Sequence, residues 1–159
     1  MRGVWYNKCN IIVREYMEKE ELLRKYFKKD RYVELSGIEI AEMGAEKCVV
    51  CAKIEEKHLN ANGRVQGGML YTLADFAFAI CSNYLHPITV TQGGHIQYVR
   101  AAVTTTLTAT AKETLRVGHN TLCEVIITDD KGDVVCVCNF NGFVKDVDWE
   151  TFEDKFIKE

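Results

Sequence analysis

Apolar and polar positions change their spacing several times along the chain, and each spacing predicts a different element. Ile11 to Lys29 combines many charges with apolar positions at partly helical intervals, which predicts an amphipathic leading helix. Met69 to Leu85 is apolar around nearly its whole circumference, which is typical of a helix buried on all sides. Pro87 is expected to stop this helix. Trp149 to Ile157 predicts a short closing helix.

Strands are predicted where apolar and polar residues alternate. The first alternating segment is Ile38 to Met43, and a second strand is expected from Glu46 to Glu56. Four later runs have the same character: Ile88 to Arg100, Val103 to Glu113, Asn120 to Thr128 and Val134 to Val144. Hairpin turns are predicted at Val117 to Asn120 and at Asp129 to Asp133. Strands joined by short turns pair antiparallel, so the pattern predicts an α+β fold with one antiparallel sheet and one long buried helix.

The size of the chain predicts a single domain. A chain of 159 residues with 47% hydrophobic content can bury one core of ordinary size. No internal repeat, low-complexity segment or linker interrupts it. The expected organisation is a helical extension over residues 1–35, a core over residues 36–145 and a helix over residues 146–159.

Charge and polar residues narrow the expected partners. A net charge of −3 provides no general basic field, which argues against a nucleic-acid partner. The first residues lack the apolar stretch of a secretory signal. Polar residues inside the apolar helix, among them Thr72, Asp75 and Asn83, argue against a membrane span. The expectation is a cytoplasmic protein without a nucleic-acid or membrane partner.

The seven cysteines fit the same compartment, because most of them lie inside apolar runs, as reduced core thiols do. Cys48 and Cys51 have the C-x-x-C spacing of some zinc sites. In a strand, however, residues three apart face opposite sides and cannot hold one ion together. No metal site is therefore assigned.

Asp75 is the first candidate for chemistry, because it is the only charged residue between Met69 and Leu85. Burying an unpaired ion lowers the folding stability by roughly several kcal/mol, so such a residue needs an explanation. One interpretation is a functional carboxylate. The other is a residue at a subunit boundary that accepts hydrogen bonds from nearby backbone or hydroxyl groups. The residue pattern leaves both open.

Gly67 and Gly68 are the second candidate, since they stand at the expected start of the buried helix. The first turn of a helix presents unpaired N–H groups at a positive dipole end, and glycine lets another group approach them closely. This arrangement can stabilise an oxyanion. A tight turn from loop to helix would explain the same two glycines. A phosphate loop is excluded, because no Lys-Ser or Lys-Thr follows them.

The segment from His58 to Asp75, HLNANGRVQGGMLYTLAD, resembles the signature of the PaaI-like hotdog-fold thioesterases of phenylacetate metabolism. That signature is approximately H-x-N-x-x-G-x-x-H-G-G-x-x-x-x-L-x-D, and the spacing matches throughout. The similarity extends from about Gly37 to Val144. It implies a hotdog fold, in which an antiparallel sheet wraps around a long central helix. It also implies an acyl-CoA thioesterase that forms homodimers or homotetramers and needs no cofactor besides the coenzyme A of its substrate.

The resemblance also implies roles for individual residues. Gly67 would donate its backbone N–H to the thioester carbonyl oxygen. Asp75, reaching in from the partner subunit, would activate water or attack the carbonyl carbon itself. Asn60 would help to hold the carbonyl or the water, and Thr91 would orient that water. Gly68 is assigned to substrate binding.

Two further positions carry open questions. The family usually has histidine where this chain has Gln66; glutamine keeps hydrogen-bonding ability but does not titrate near neutral pH. Activity is expected to survive, and Gln66 is assigned to the catalytic loop. Arg100 is assigned to the phosphates of coenzyme A, with Lys112 and Arg116 as lesser candidates. A solvated arginine at a strand end would explain Arg100 equally well.

Two alternatives to the hydrolase remain at this stage. Gln66 keeps open a non-catalytic protein that binds or senses acyl-CoA. A hotdog dehydratase would need a histidine paired with a carboxylate, and no histidine stands at the matching position. The leading helix from Ile11 to Lys29 could cover the pocket or build the assembly, and the length of the acyl group is not specified.

Overall fold

Six antiparallel strands form one sheet. The computed structural model describes residues 19–86 and 88–156. The strands are β1 (Ile38–Met43), β2 (Cys48–Lys53), β3 (Thr89–Tyr98), β4 (Thr106–Val117), β5 (Asn120–Asp129) and β6 (Val134–Val144). Their order in the sheet is β1-β2-β4-β5-β6-β3. All neighbouring strands pair antiparallel, so the predicted sheet is confirmed.

The bounds of two predicted strands are wrong. β2 covers Cys48–Lys53 only, and β4 begins at Thr106 and continues to Val117. Before β4, the backbone N–H and the hydroxyl of Thr105 donate to Asp130 Oδ2 at 3.2 and 2.9 Å. These hydrogen bonds hold the segment as a loop. At the other end β4 runs up to Gly118, whose φ of 57° makes the hairpin turn that the sequence predicts.

Within the described residues, four α-helices accompany the sheet. They are α1 (residues 19–27), α2 (Arg31–Leu35), α3 (Gly67–Leu85) and α4 (Trp149–Phe156). The predicted central helix is α3, and the predicted closing helix is α4; its last predicted residue, Ile157, lies outside the described residues. So does Pro87, the expected stop. None of the helices in the described ranges has the length and hydropathy needed to cross a bilayer.

The leading helix is confirmed only in its second half, because residues 11–18 lie outside the described residues. After α1 the chain turns and forms α2, which the sequence analysis did not separate. Asp30 causes the new start: its Oδ1 accepts hydrogen bonds from the N–H groups of Tyr32 and Val33, both at 3.1 Å. Gly37, with a φ of 63°, then leads the chain into β1. The two helices therefore meet in an elbow at Asp30.

The inner face of the sheet packs against α3 and forms the core. On β4 the apolar residues Leu107, Ala109 and Ala111 are fully buried, while the intervening threonines face outward. The rings of Phe78 and Phe140 stack at 5.4 Å between helix and sheet. This close packing fixes α3 against β3 and β6, and so fixes the position of every side chain along the helix.

The two edges of the sheet differ. At the β1 edge, Arg24 of α1 donates from Nη1 to the carbonyl oxygen of Ile40 at 3.1 Å, and β1 itself carries Glu39 and Glu42. At the other edge, β3 has the sequence TVTQGGHIQY, without any Lys, Arg, Asp or Glu. Charges and covering side chains protect an edge strand from pairing with another chain. β3 lacks such charges, and it lies beside the candidate site.

Candidate active site

A short loop before α3 is held in shape by Asn60. Its Oδ1 accepts hydrogen bonds from the backbone N–H groups of Asn62 and Arg64 at 2.9 and 3.1 Å. The backbone N–H of Asn60 also donates to the carbonyl oxygen of Arg64 at 2.7 Å. Asn60 therefore first shapes the loop, and its Nδ2 group is the part of the side chain left to meet a ligand.

Gln66 caps α3. Its Oε1 accepts hydrogen bonds from the N–H of Gly68 and, at 3.2 Å, from the N–H of Met69. Gly68 makes room for this cap, because a Cβ there would lie 2.7 Å from Gln66 Oε1. Gln66 thus serves the hydrogen-bonding role that the sequence analysis left to it, and the N–H of Gly68 is already engaged.

This cap leaves the N–H of Gly67 in the first turn without a hydrogen-bond partner among the described residues. The carbonyl oxygen of Gly67 accepts a hydrogen bond from the hydroxyl of Tyr98 at 3.1 Å, which ties the start of α3 to β3. The positive end of the helix dipole adds to the attraction for a developing negative charge. The Gly67 N–H has the properties of an oxyanion donor.

An open cavity of about 660 Å³ surrounds this turn. Asn60, Gln66, Gly67, Gly68 and Arg100, all assigned from the sequence, line it together. The sequence analysis gave no role to two other lining residues, Tyr98 and Arg64. Tyr98 lies within the stretch that resembles the family, from about Gly37 to Val144, but its contact with Gly67 spans 31 residues of sequence. Arg64 lies two residues before Gln66 within the same motif, and this position could have indicated that Arg64 lines the cavity.

Arg100 is less available than its position suggests. Its guanidinium is paired with Asp129 Oδ2 at 2.6 Å and with Asp133 Oδ2 at 3.1 Å. These carboxylates neutralise charge that a phosphate would otherwise meet. Arg64 is exposed and has no ion pair within the described part of the chain, so it is the better cation for an anionic ligand in this cavity. Lys112 and Arg116 lie on β4 and do not line it.

Asp75 lies two turns further along α3 and is half-buried. The hydroxyl of Thr91 donates to its Oδ1 at 3.1 Å. Asn83 holds the start of β3 beside α3 for this contact: its Oδ1 accepts from the N–H of Thr89 at 2.9 Å, and its Nδ2 donates to the Thr89 carbonyl at 3.1 Å. Thr91 therefore contacts Asp75 directly, and its role in orienting a water stays a prediction.

The environment of Asp75 favours its neutral form. Burial raises the pKa of this carboxyl above its ordinary value, and the nearby charge of Asp30 raises it further. The Thr91 hydrogen bond acts in the opposite direction and lowers the pKa. A carboxylate whose pKa is raised toward the working pH is a better proton acceptor than an ordinary surface aspartate.

Asp75 and the Gly67 turn do not share a cavity. Asp75 lines a smaller cavity of about 190 Å³, together with Phe27, Asp30, Tyr71 and other residues of α1, α2 and α3. Eight residues separate Asp75 from Gly67, which is about 12 Å along a helix axis. One carbonyl group cannot contact both positions on the same helix.

The histidines lie elsewhere. His58 is buried in the loop before Asn60, and its Nδ1 accepts from the N–H of Glu55 at 3.0 Å. His86 Nε2 lies 2.7 Å from Glu113 Oε1, a pairing the sequence analysis did not predict. Within the described residues no group of three or more His, Cys, Asp or Glu side chains is arranged to hold a metal ion.

Comparison with solved structures identifies the fold. The E. coli PaaI protein from the phenylacetic acid degradation operon is 23% identical and matches with a TM-score of 0.76, over 81% of this chain and 94% of that one. A mutant form of the phenylacetic acid degradation protein PaaI from Thermus thermophilus is 26% identical with a TM-score of 0.69, over 73% and 100%. The predicted hotdog fold and the predicted likeness to PaaI-like proteins are confirmed.

A third structure comes from Streptococcus pneumoniae. It is described as a hypothetical thioesterase protein with coenzyme A, is 28% identical and matches with a TM-score of 0.68, over 75% of this chain and 96% of that one. No family model matches the chain.

Two curated relatives, from Archaeoglobus fulgidus and Deinococcus radiodurans, both carry the name "Putative esterase". The first is 34% identical over 96 residues, 60% of this chain and 62% of its own length. The second is 35% identical over 71 residues, 45% and 48% of the two lengths. The chain therefore spans less than two thirds of either curated relative.

Proposed function

We propose that this hotdog-fold chain is a thioester hydrolase that cleaves acyl-CoA to a free carboxylic acid and coenzyme A. The observation that carries the proposal is Asp75: a half-buried carboxylate with a raised pKa, held by the hydroxyl of Thr91 inside an otherwise uncharged helix. The N–H at Gly67 supplies the second part of a hydrolytic centre. Incubating the protein with a panel of acyl-CoA thioesters and measuring free thiol tests the proposal, and binding without thiol release would favour the sensing alternative.

The proposed reaction needs only these groups and water. Asp75 accepts a proton from water as the water oxygen attacks the thioester carbonyl carbon. The carbonyl oxygen becomes an oxyanion, which the Gly67 N–H and the α3 dipole stabilise. When the carbon–sulfur bond breaks, the coenzyme A sulfur leaves and takes the proton from Asp75. Neither a metal ion nor a redox cofactor takes part.

The centre is proposed to form between two copies of the chain. A single copy separates Asp75 from its own Gly67 by about 12 Å along α3, whereas both must contact one carbonyl group. The unprotected edge of β3 can pair with the same edge of a second copy. The face of α3 that carries Thr72, Asp75 and Ala79 is only half-buried, so a second helix can cover it. Each dimer would then contain two centres, each with one residue from either chain.

The relatives support this proposal. The Streptococcus pneumoniae protein is described as a thioesterase with coenzyme A, and the two curated relatives are named as esterases. The cavity at Gly67 contains the cation Arg64, which has no ion pair among the described residues, and is open to solvent, as a site for a large phosphate-bearing group must be. We propose that coenzyme A enters there and extends its thioester toward the partner's Asp75.

Mixed dimers give a direct test of a shared centre. A chain with Asp75→Asn and a chain with Gly67→Pro are each expected to be nearly inactive, yet their mixture should recover about one quarter of wild-type activity, since half the dimers are mixed and each has one intact centre of two. Two differently tagged chains that both carry Asp75→Asn are the matched control and should recover none. A mixture as inactive as this control would place both groups in one chain and overturn the shared centre.

The pH dependence of kcat is expected to shift in opposite directions in two variants. Asp75 must be ionised to accept a proton, so kcat falls as pH drops through the pKa of Asp75. Thr91→Val removes a hydrogen bond that lowers this pKa, and the acid limb should move to higher pH. Asp30→Asn removes a charge that raises the pKa, and the limb should move to lower pH; asparagine can still cap α2. Shifts in the same direction would show that another group controls the limb.

A further inference from the structure

The cavity beside Asp75 is closed at one end by two aromatic rings. Phe27 of α1 and Phe76 of α3 meet edge to face, with ring centroids 5.5 Å apart and planes at 85°. Phe76 is buried and Phe27 is partly buried. The contact joins the elbow of α1 and α2 to the central helix. The aromatic pair is therefore part of the packed structure and not a surface feature.

A second cavity lies on the other side of this wall. It has a volume of about 430 Å³ and extends from the α1–α2 elbow to β1, where it is lined by Ile38 and Ile40. Four residues line both cavities: Phe27, Asp30, Val33 and Phe76. The two cavities are therefore neighbours, and the aromatic pair forms part of the boundary between them.

The volume of the first cavity sets a size for its occupant. It measures about 190 Å³, and aromatic and aliphatic side chains, among them Phe27 and Phe76, share its lining with the polar groups of Asp30, Thr72 and Asp75. An apolar protein cavity of about 150 Å³ accepts one benzene molecule. The space beside Asp75 therefore suits an acyl group of about one six-membered ring or a short alkyl chain, and not a long alkyl chain.

We propose that the Phe27–Phe76 pair is the end wall of the acyl site and limits the substrate to compact acyl groups. This inference rests on the proposed function, because it places the acyl group next to Asp75. The second cavity is the space that a longer chain would enter if the wall were removed. The α1–α2 elbow thus determines specificity, and the reacting carbonyl lies at the opposite end of the same cavity.

Phe27 is the residue to vary, because its side chain is only partly buried. A smaller side chain at this position therefore leaves the core between α3 and the sheet intact. Phe27→Leu should open the wall in part, and Phe27→Ala should join the two cavities. Each methylene that gains an apolar site adds about fourfold to binding, which corresponds to roughly 0.8 kcal/mol per buried methylene. A chain that places several methylenes in the second cavity should therefore bind at least about tenfold more tightly to the alanine variant than to wild type.

The experiment uses two coenzyme A thioethers, S-benzyl-CoA and S-decyl-CoA, which cannot be hydrolysed, with affinities measured by calorimetry. Wild type should prefer the benzyl compound, and the ratio of decyl to benzyl affinity should rise in the order wild type, Phe27→Leu, Phe27→Ala. Trp149→Ala is the matched control: it removes an aromatic ring of α4 that packs on Phe152, with centroids 5.4 Å apart, and lines neither cavity. Its ratio should stay at the wild-type value.

Failure of this inference and failure of the proposed function give different results. A ratio that is the same in all four proteins, or that rises equally in Trp149→Ala, overturns the end wall even when the protein releases thiol from acyl-CoA. A graded ratio without any thiol release supports the acyl site and overturns the hydrolase. The leucine variant keeps much of the apolar contact, so it gives a folded reference if the alanine variant is unstable.

Discussion

Asp75→Asn is expected to lower kcat for thioester hydrolysis by about 10²- to 10⁴-fold, the usual contribution of a positioned general base. Asparagine has the same shape and can still accept the hydrogen bond from Thr91, so the geometry of the centre is retained. What is lost is the ability to take a proton from water. Steady-state thiol release, with KM measured alongside kcat, checks the expectation.

The same substitution is expected to stabilise the fold near neutral pH. Because burial raises the pKa of Asp75 in the folded chain, the stability linked to this group is present at low pH and is lost as pH rises through the folded-state pKa. Above that pKa the ionised carboxylate is a cost, and asparagine removes it. The Tm of the variant should exceed that of wild type at neutral pH, and the difference should disappear in acid.

A lower Tm at neutral pH would contradict this account. It would mean that the charge of Asp75 stabilises the fold. That result would favour the other interpretation of Asp75, a structural carboxylate at a subunit boundary. A large loss of activity together with a gain in stability is the combination that a purely structural residue does not produce.

The parts of the fold that the sequence predicts well are those with a local cause. The all-round apolar pattern from Met69 to Leu85 corresponds to α3, and the Gly118 and Asp129 turns stand where the turn residues are. The limits of β2 and β4 were missed because they depend on contacts distant in sequence. Asp130 ties Thr105 across 25 residues, and no periodicity records such a hydrogen bond.

In the candidate site, too, features with a local cause could be predicted and contacts between distant segments could not. Asn60, Gln66 and Gly67 belong to one continuous motif, so their meeting around one cavity follows from the motif itself. The ion pairs of Arg100 come from a different hairpin and could not be predicted from the strand alone. Nor could the contact of α1 with the Asp75 cavity, since it requires the chain to turn at Asp30 and place Phe27 on Phe76.

Gln66 shows how a departure from a family pattern can be interpreted through geometry. The resemblance has histidine at this position, and the loss of a titratable group left open a protein that binds acyl-CoA without cleaving it. In the structure the side chain of Gln66 caps the N–H groups of Gly68 and Met69. An amide oxygen performs this role without any protonation change, and it does not engage the Gly67 N–H. The proposed chemistry thus does not require histidine at this position.

The second large effect is expected from Gly67→Pro, which should reduce kcat about 10²- to 10³-fold by removing the oxyanion donor. Gly67 is the first residue of α3, the helix position at which proline is best tolerated. Gln66 before it is extended, with φ −68° and ψ 138°, as a residue preceding proline must be. Proline therefore deletes one N–H group and leaves the helix start in place.

Gly67→Ala is the control that isolates this N–H group. Alanine adds the same Cβ, which would lie 3.1 Å from the hydroxyl of Tyr98, but it keeps the N–H. The alanine variant should therefore stay within a few-fold of wild type, and circular dichroism should show the same helix content and similar Tm for both variants. A proline variant as active as the alanine variant would show that the negative charge of the reaction develops elsewhere. In the proposed shared centre the Gly67 N–H and Asp75 come from different chains, so a partner that carries only Asp75→Asn should partly rescue the proline defect.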